Sequence, residues 1–430
     1  MDRPLRIAMV SEHASPVALL GSEDAGGQNV YVSEVSRHLA RLGHTVDVFT
    51  RRDALDAPET SDWVPSVRVV NLTAGEPQFL LKDKLWPLMP EFRDSFLRFM
   101  VRDGARYDVI HGNFWMSGWV VAELRRRLRI PAVHIFHAMG KTKRRHQGKA
   151  DTSPDDRICA ELEIIREVDR LIAQCPAERD ELVGDYGAAP GKVALIPSAV
   201  DVKRFRPVAR HEARARIGLD PDELVVVYVG RMVPRKGIRN LVRAVALLVR
   251  QEEIPPVRLL LVGGETREPD PVATPEIGVL QGLAAELGIT EQVHFAGRKQ
   301  PDELRYYYSA GDVAVTTPWY EPFGLTPLEA MACGTPVIGA AVGGIPFTVQ
   351  AGVTGLLVPP RDPEALAARL RHLLLHEELR DRMGQAARRR VERLFTWSTV
   401  AQRTSELYYD LWAARTPARP ELVLLRGNQQ

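Results

Sequence analysis

Short apolar runs alternate with helical segments twice along this chain, and this repeated alternation restricts the fold most. In the first half, runs such as Ile7–Val10 and Val46–Phe49 show no strict polar alternation, and Val30–Leu42 between them has helical periodicity. Such strands are typical of parallel sheets covered by helices on both faces. A second series begins at Leu224–Gly230 and continues to Leu356–Val358. The sequence therefore predicts an α/β chain with two doubly wound, Rossmann-like domains.

The predicted domain boundary is an irregular, basic segment over residues 198–212. We expect a first domain over residues 1–200 and a second over residues 213–399. A terminal helix over about residues 400–415 carries an apolar stripe and is predicted to pack back on the first domain. Doubly wound domains bind ligands at the carboxyl ends of their strands, so two facing domains would form a site in the cleft between them.

Composition limits the class of partner. A formal net charge of +2 over 430 residues gives no general attraction to nucleic acid. Three cysteines without paired or metal-like spacing predict a reducing, cytoplasmic location and no metal site. No uninterrupted apolar stretch reaches the length of a membrane span, and the N-terminus lacks the apolar core of a signal peptide. We expect a cytoplasmic enzyme that acts on small molecules.

The segment Glu321–Glu329 places two carboxylates at a predicted strand-to-helix junction. Thr326 stands where an N-cap is expected, Pro327 at the first helical position and Glu329 three residues after the cap. Glu321 then lies in the turn and Glu329 on the first turn of the helix, beside backbone N–H groups that can bind an anion or a sugar hydroxyl. In the alternative interpretation, Glu329 only completes a capping box and Glu321 is a solvated loop acid.

Three cations follow strand ends in the second predicted domain. Arg231 leaves the end of one strand, Lys236 opens the next helix, and Arg298 follows another strand. Cations in these places can neutralise a diphosphate as it departs. The alternative is that Lys236 is merely exposed.

The first predicted domain offers a glycine pair and a histidine. Gly26 and Gly27 lie between the first strand and the first long helix, where backbone can approach a phosphate closely, although a plain turn is equally compatible. His137 is predicted just past a strand end, whereas His134 is predicted to be a core residue. The basic segment Lys141–Lys149 suits an acidic acceptor, an anionic membrane surface or water.

Together these motifs resemble those of the family 4 glycosyltransferases, which have the GT-B architecture of two Rossmann-like domains. The resemblance covers nearly the whole chain and includes Gly334–Val337 and Gly343–Pro346, while Gly26–Val32 is similar to the corresponding segment of sucrose-phosphate synthases and D-inositol-3-phosphate glycosyltransferases. It implies a retaining, metal-independent transfer of a hexosyl group, of the glucose or N-acetylglucosamine type. The expected donor is a nucleotide diphosphate sugar, with UDP as the expected nucleotide. The expected acceptor is a small phosphorylated molecule, and no resident cofactor is implied.

By this resemblance, Arg231 and Lys236 hold the diphosphate, Glu329 the ribose, and Glu321 hydroxyls of the donor sugar. The catalytic set that the resemblance implies is His137, Glu321, Arg231 and Lys236. The full donor-binding set is Gly26, Gly27, Arg231, Lys236, Arg298, Phe323, Gly324, Leu325 and Glu329.

For the acceptor, Lys82 and Arg157 match the cationic pair that binds phosphate in the inositol-phosphate enzymes, and Asn29 is expected to bond a hydroxyl. Phe114 and Ala138 replace a tyrosine and a threonine of that pattern, so two hydroxyl donors are missing. The structural alternative for Arg157 is an ion pair with Glu161 on its own helix.

Two other functions are compatible with the sequence: a GT-B sugar-nucleotide epimerase, and a membrane-surface transferase with a lipid or polysaccharide acceptor. The membrane hypothesis rests on Lys82–Met100, where aromatic and aliphatic residues stand beside lysines and arginines. Packing of these residues inside the first domain explains the same pattern and is favoured.

Overall fold

A computed structural model describes residues 3–16, 26–148 and 151–414 of the 430-residue chain. The chain divides into two compact units. The first unit combines residues up to 172 with residues 183–194 and those from 401 onward. The second unit contains residues 173–182 and 195–400.

Each unit is built on a sheet covered by helices. The strands are β1 (Arg6–Val10), β2 (Thr45–Arg51), β3 (Thr60–Val64), β4 (Val67–Leu72), β5 (Val109–Asn113), β6 (Ala132–Ile135), β7 (Arg170–Ala173), β8 (Val193–Leu195), β9 (Leu224–Val229), β10 (Val257–Val262), β11 (Val293–Gly297), β12 (Val313–Thr316), β13 (Val337–Ala340) and β14 (Gly355–Val358). The helices are α1 (Gly27–Arg41), α2 (Met89–Asp103), α3 (Trp115–Leu128), α4 (Gly140–Gln147), α5 (Arg157–Glu167), α6 (Pro176–Gly184), α7 (Arg210–Ile217), α8 (Ile238–Leu248), α9 (Pro275–Leu287), α10 (Pro301–Ala310), α11 (Leu325–Ala332), α12 (Ile345–Thr348), α13 (Pro363–Leu374), α14 (Glu377–Leu394) and α15 (Trp397–Ala414).

The first sheet has the strand order β3-β4-β2-β1-β5-β6-β7-β8. β1 pairs in parallel with β2 and β5, and β5 pairs in parallel with β6. The interior strands are apolar because both faces of the sheet are covered, and Ile7–Val10 is fully buried. This order places the carboxyl ends of β1, β5 and β6 side by side.

The second sheet has the order β11-β10-β9-β12-β13-β14, and its strand pairs are parallel. Val225–Val227 in β9 are buried between the two helical layers. The chain order reverses between β9 and β12, and the crevice at such a switch point is where doubly wound sheets bind ligands. The predicted fold class, two doubly wound Rossmann-like domains, is confirmed.

Two local differences from the sequence predictions concern β3 and α7. β3 was not predicted because three of its five residues are polar and it pairs antiparallel at the sheet edge, where no burial pattern marks it. α7 begins at Arg210, inside the segment expected to be irregular. The tail helix α15 reaches Ala414, and its Tyr408 hydroxyl lies 2.5 Å from Nδ1 of His111 in the first unit.

The basic residues of α14 are not all solvated, and Arg380 is an exception. Its side chain is buried and donates to the carbonyl oxygens of Leu373 and Leu374. Within the described ranges, no helix combines the length and the apolar character that crossing a membrane requires.

Candidate active site

In the second unit, the loop after β9 is fixed by close backbone contact with the loop after β12. Gly237 has φ +70°, and a Cβ atom added there would lie 1.9 Å from the carbonyl oxygen of Thr317. The Trp319 N–H also donates to the Arg235 carbonyl at 2.8 Å. Only glycine tolerates this approach, and it brings the segment containing Arg231 and Lys236 beside the segment that leads to Glu321.

Lys236 and Glu321 form an ion pair across these two loops. The ammonium group of Lys236 donates to Oε2 of Glu321, and both side chains are mostly buried, at 16% and 15% exposure. The structure therefore brings together two of the predicted site residues, 85 positions apart in sequence. Arg231 is exposed at the same strand end, and its carbonyl accepts a hydrogen bond of 3.0 Å from the Tyr228 hydroxyl.

A second glycine pair holds the Glu321 loop from the other side. Gly343 has φ +52°, and a Cβ atom there would lie 1.9 Å from the Glu321 carbonyl oxygen. A Cβ atom on Gly344 would lie 2.5 Å from the Phe323 carbonyl oxygen, and the Gly344 N–H donates to Glu321 at 3.1 Å. The backbone at Glu321 is thus fixed by packing against these glycines, and the ion pair with Lys236 holds its carboxylate.

Helix α11 begins two residues earlier than its sequence signals predict. Gly324, with φ +91°, is the N-cap, so the prediction of Thr326 as cap is wrong. Glu329 consequently lies on the second turn of the helix, whereas the first turn was predicted. The left-handed conformation of Gly324 turns the chain sharply and replaces a side-chain cap. The N-terminus of α11, with Leu325 at its first position, faces the loop that contains Glu321 and retains the unpaired N–H groups of any helix start.

Glu329 is held by a buried tyrosine. The Tyr308 hydroxyl donates to its Oε2 at 2.7 Å. Burial raises the pKa of Glu329, and the hydrogen bond from Tyr308 partly opposes that shift. Phe323 is buried in the core of the second unit, so only its backbone can contact a ligand. Arg298 follows β11, is exposed and donates its backbone N–H to the Thr266 carbonyl at 2.8 Å.

In the first unit, the glycine loop is described only in part, because residues 21–25 lie outside the described residues. Gly26 is the N-cap of α1 and Gly27 its first residue. Asn29 is buried, accepts from the Gly26 N–H at 3.0 Å and donates to the Ser15 carbonyl at 3.1 Å. Its amide therefore fixes the loop, and its predicted bond to an acceptor hydroxyl stays a prediction.

His137 follows β6 in a left-handed conformation, with φ +60°. Its Nε2 lies 3.1 Å from Oδ1 of Asn113 at the end of β5, and its ring meets that of Tyr31 edge-on at 5.0 Å between centroids. Loss of hydration, followed by the neighbouring imidazoles of His111 and His13, lowers the pKa of His137 to about 3. His137 is therefore a neutral hydrogen-bonding group near pH 7. His134, predicted as a core residue, is fully buried.

The contacts of Arg157 match the structural alternative given for it. Its Nε donates to Glu161 at 2.8 Å, and its terminal nitrogens donate to Ser153 at 3.1 Å and to the Ala138 carbonyl at 2.6 Å. Glu161 in turn accepts from the Gly140 N–H. Arg157 thus holds the segment after His137. Its predicted role in binding an acceptor anion is not supported by these contacts and stays a prediction.

Lys82 begins a short 3₁₀ helix before the aromatic stretch that suggested a membrane surface. That stretch packs inside the first unit: Phe92, Phe96 and Phe99 on α2 are buried, and Phe96 stacks near Phe49 at 4.3 Å. The favoured alternative, packing within the domain, is confirmed. In the part of the chain that the structure describes, no group of three or more histidine, cysteine or acidic side chains is arranged to hold a metal ion.

Known proteins match both units. A model of Glycosyltransferase Family 4 matches residues 25–204, and a model of Glycosyl transferases group 1 matches residues 209–390. A D-inositol 3-phosphate glycosyltransferase of Streptomyces bingchenggensis is 39% identical over 415 residues, which cover 94% of this chain and 89% of that protein. The chain belongs to the family 4 glycosyltransferases.

Two further relatives agree with this assignment. The D-inositol 3-phosphate glycosyltransferase of Corynebacterium efficiens is 36% identical, with 95% of this glycosyltransferase and 96% of that protein covered. The solved structure of a sucrose-phosphate synthase from Thermosynechococcus elongatus is 38% identical and has a TM-score of 0.84, with 96% of this chain and all of that chain covered. The resemblance inferred from the motifs is confirmed.

The sequence analysis of this glycosyltransferase missed a polar cluster at the end of β1. Oε1 of Glu12 lies 2.7 Å from Nδ1 of His13, its other oxygen accepts from the Ser117 hydroxyl, and the His13 ring packs against Phe114 at 5.0 Å between centroids. It also missed Asn113, the partner of His137. Both lie where parallel strands end, so the position of Ser11–His13 directly after the first apolar run was a usable signal.

Proposed function

We propose that this glycosyltransferase moves a hexosyl group, of the glucose or N-acetylglucosamine type, from a UDP-sugar to a small phosphorylated acceptor with retention of configuration. The observation that carries the proposal is the assembly of Arg231, Lys236 and Glu321 at the carboxyl edge of the second sheet. Two cations and one carboxylate, fixed by glycine contacts, suit a ligand that carries both a diphosphate and sugar hydroxyls.

The donor is proposed to lie along the loops that follow β9 and β12. Arg231 and Lys236 bind the diphosphate, and Glu329, whose carboxyl group Tyr308 orients, binds the ribose. Glu321 accepts hydrogen bonds from hydroxyls of the donor sugar while it still contacts Lys236. Lys236 then links the sugar-binding carboxylate to the leaving group.

In the proposed reaction, the bond between the anomeric carbon and the diphosphate oxygen breaks, and the acceptor hydroxyl oxygen bonds to the same carbon. The acceptor proton passes to the departing diphosphate oxygen. Negative charge builds on the diphosphate in this step, and fixed cations stabilise it where it develops. His137, which is neutral, contributes hydrogen bonds to the sugar and carries no charge. We propose that no metal or resident cofactor takes part, since Arg231 and Lys236 supply the positive charge.

The acceptor class rests on two relatives whose names each contain a phosphorylated small molecule, D-inositol 3-phosphate glycosyltransferase and sucrose-phosphate synthase. In this chain we propose Lys82 as the acceptor cation and Asn29 as a nearby hydrogen-bonding group. Arg157 acts through the segment that follows His137. Three free cysteines, two of them buried, suit the cytoplasmic location that we propose.

The proposal is tested with purified protein, UDP-glucose and UDP-N-acetylglucosamine, and phosphorylated acceptors alongside their unphosphorylated counterparts. Proton NMR of the product gives the configuration at the anomeric carbon. We expect transfer to a phosphorylated acceptor only, with retention, and an unchanged rate in EDTA. Inversion would contradict the mechanism, loss of turnover in EDTA that Mg²⁺ restores would contradict metal independence, and epimerisation of the donor without transfer would contradict the function.

A further inference from the structure

Arg51 is the last residue of β2, and its charged side chain is buried at the carboxyl edge of the first sheet. β2 pairs in parallel with β1, β1 with β5, and β5 with β6, so Arg51 lies at the same edge as His137, which follows β6. Arg51 is only 4% exposed. Because a buried cation is unfavourable unless its N–H groups are hydrogen-bonded, the partners of this guanidinium group show which part of the chain depends on it.

Three backbone carbonyl groups of one loop accept hydrogen bonds from Arg51. Its Nε donates to the Ala74 carbonyl at 2.8 Å, one terminal nitrogen donates to the Gln78 carbonyl at 2.8 Å, and the other donates to the Glu76 carbonyl. These residues belong to the segment 74–81, which follows β4 and is called the Arg51 loop below. A guanidinium group presents its donors in one rigid plane, so it fixes the three carbonyl groups relative to one another.

The large apolar side chains of the Arg51 loop do not anchor it fully. Phe79 is 59% exposed and Leu81 is 41% exposed. The Gly75 N–H donates to the carboxylate of Glu91 at 2.9 Å, but this bond lies in exposed surroundings. Solvent competes for an exposed hydrogen bond more than for a buried one. The buried guanidinium group is therefore the strongest of these restraints on the path of the loop.

The Arg51 loop leads directly into Lys82, which opens a short 3₁₀ helix. Two hydrogen bonds tie this segment to the residues before α5. The Thr152 hydroxyl donates to Asp83 at 2.5 Å, and the Trp86 indole N–H donates to Asp156 at 3.3 Å. The first residue of α5 in turn donates to a carbonyl group in the loop after β6. The segment that begins at Lys82 is thus connected to the loop that carries His137.

We infer that Arg51 is a positioning residue for the acceptor, and that it acts through the Arg51 loop on Lys82. The inference rests on the proposed function, in which Lys82 is the acceptor cation. Arg51 is buried and spends its guanidinium nitrogens on the protein, so it contacts neither donor nor acceptor. The loop that it holds starts Lys82 from a defined position. Because a loop that must be ordered on binding lowers affinity, a loop held in place beforehand tightens acceptor binding.

Steady-state kinetics of Arg51→Met test the inference. The acceptor probes are D-inositol 3-phosphate and the 6-phosphates of glucose and fructose, with UDP-glucose and UDP-N-acetylglucosamine as donors. Methionine is unbranched and apolar, so it removes every donor without a bulky replacement. We expect the acceptor KM to rise by about tenfold or more, since a displaced binding group is costly. The value of kcat at saturating acceptor and the affinity for UDP should keep their wild-type values, because binding alone is lost.

Arg68→Met is the matched control. Arg68 lies on the neighbouring strand β4 and donates to Asp47 and Asp103, near the amino ends of β2 and β4. Its removal also costs hydrogen bonds of a guanidinium group, but at the other edge of the sheet. Thermal unfolding should show a loss of stability in Arg68→Met, and its acceptor KM should equal that of the wild type.

A double-mutant cycle tests the route through Lys82. Lys82→Ala alone should raise the acceptor KM, and adding Arg51→Met should raise it little further, since the group that Arg51 positions is then gone. Arg51→Lys guards against a folding defect in Arg51→Met. It keeps the charge and can still donate to part of the carbonyl groups, so its acceptor KM should lie between those of the wild type and Arg51→Met.

A wild-type acceptor KM in Arg51→Met and Arg51→Lys would overturn the inference and leave the proposed function intact. Additive effects of Arg51→Met and Lys82→Ala would also overturn it, as would equal rises in Arg51→Met and Arg68→Met. Losses of kcat and UDP affinity that parallel the rise in KM would identify a general structural role instead. A wild type that transfers to none of the probes would contradict the proposed function, and the inference would fall with it.

Discussion

The carboxyl edges of the two sheets carry side chains of different charge. In the second unit, charged side chains lie on loops that glycine residues press together, and Lys236 contacts Glu321 directly. In the first unit, Asn113 and Tyr31, which contact His137, are neutral, and the buried ion pair Arg157–Glu161 holds the segment that follows His137. This difference supports the proposal that the second unit stabilises the charge of a diphosphate while the first offers hydrogen bonds.

Substitution of a glycine at the backbone contacts of the second unit should cause the largest loss of transfer activity. Gly343→Ala places a methyl group 1.9 Å from the Glu321 carbonyl, so the Glu321 loop must move by roughly 1 Å, and kcat/KM should fall by about 10²-fold or more. Steady-state kinetics and thermal unfolding measure the effect. Gly352→Ala is the matched control, because Gly352 also has a positive φ, +77°, but nothing within 4 Å of an added Cβ. Equal losses in both variants would show that backbone conformation, not the contact, matters.

Removal of the Lys236 cation should have the second-largest effect on kcat/KM. Lys236→Ala leaves Glu321 without its ion-pair partner and removes one proposed diphosphate cation. Because a charge-assisted hydrogen bond is worth about 1.5–3 kcal/mol, kcat/KM should fall by about 10–10²-fold. Arg243→Ala, an exposed cation on α8, should have wild-type kinetics. A Lys236→Ala enzyme with normal turnover would remove the ion pair from the mechanism.

Substitution of Asn113, at the carboxyl edge of the first sheet, should lower kcat/KM less. Asn113→Ala removes one hydrogen bond to His137, worth about 0.5–1.5 kcal/mol, so kcat/KM should fall by up to about tenfold while UDP affinity stays constant. Asn71→Ala, which removes an asparagine bonded to the Pro58 carbonyl in β4, is the control for stability. A large drop in UDP affinity in Asn113→Ala would contradict the proposal that UDP is bound by the second unit.

Sequence reasoning located the charged edge better than the neutral one, and the reason is physical. Charged residues at strand ends, such as Arg231 and Glu321, have few structural uses, so their positions are informative. Asn113 looks like an ordinary polar residue, and only the strand order brings it to His137. Glu12, which bonds to Ser117, is a charged residue shortly after β1; its position carried the same signal and was missed.

Helix boundaries and arginine partners were less predictable. The cap of α11 was misplaced because Thr326 and Pro327 imitate a start signal, while the left-handed Gly324 is the actual one. Arg157 was expected to bind a ligand. Burial, which depends on tertiary packing, turns its guanidinium group toward Glu161 and the Ala138 carbonyl of the protein.

The smallest effect on the transfer rate is expected from a buried acid in the second unit. Burial raises the pKa of Glu178 to about 8, whereas an unfolded chain keeps it near 4.5. The folded state therefore holds a proton that the unfolded state has lost, and stability falls as the pH rises from about 4.5 to 8. Glu178→Gln should remove this part of the decline, with no change in rate.

Urea unfolding at pH 6 and pH 8.5 measures that difference. The exposed Glu286→Gln is the control and should follow the wild type. The buried histidines of the first unit shift in the opposite sense, since burial lowers the pKa of His111 and His137 to about 3, so their contribution to stability is lost as the pH falls below about 6.5. Parallel pH profiles for Glu178→Gln and the wild type would contradict the assignment for Glu178.

The most direct test of the central claim is calorimetric titration of UDP into the wild-type chain, Arg231→Ala and the control Arg243→Ala. In the proposed donor site, the diphosphate binds Arg231 and Lys236, and a charge-assisted hydrogen bond is worth about 1.5–3 kcal/mol. We therefore expect Arg231→Ala to bind UDP at least tenfold more weakly than the wild type and Arg243→Ala to bind it equally well. Wild-type affinity for UDP in Arg231→Ala would contradict the donor site described here.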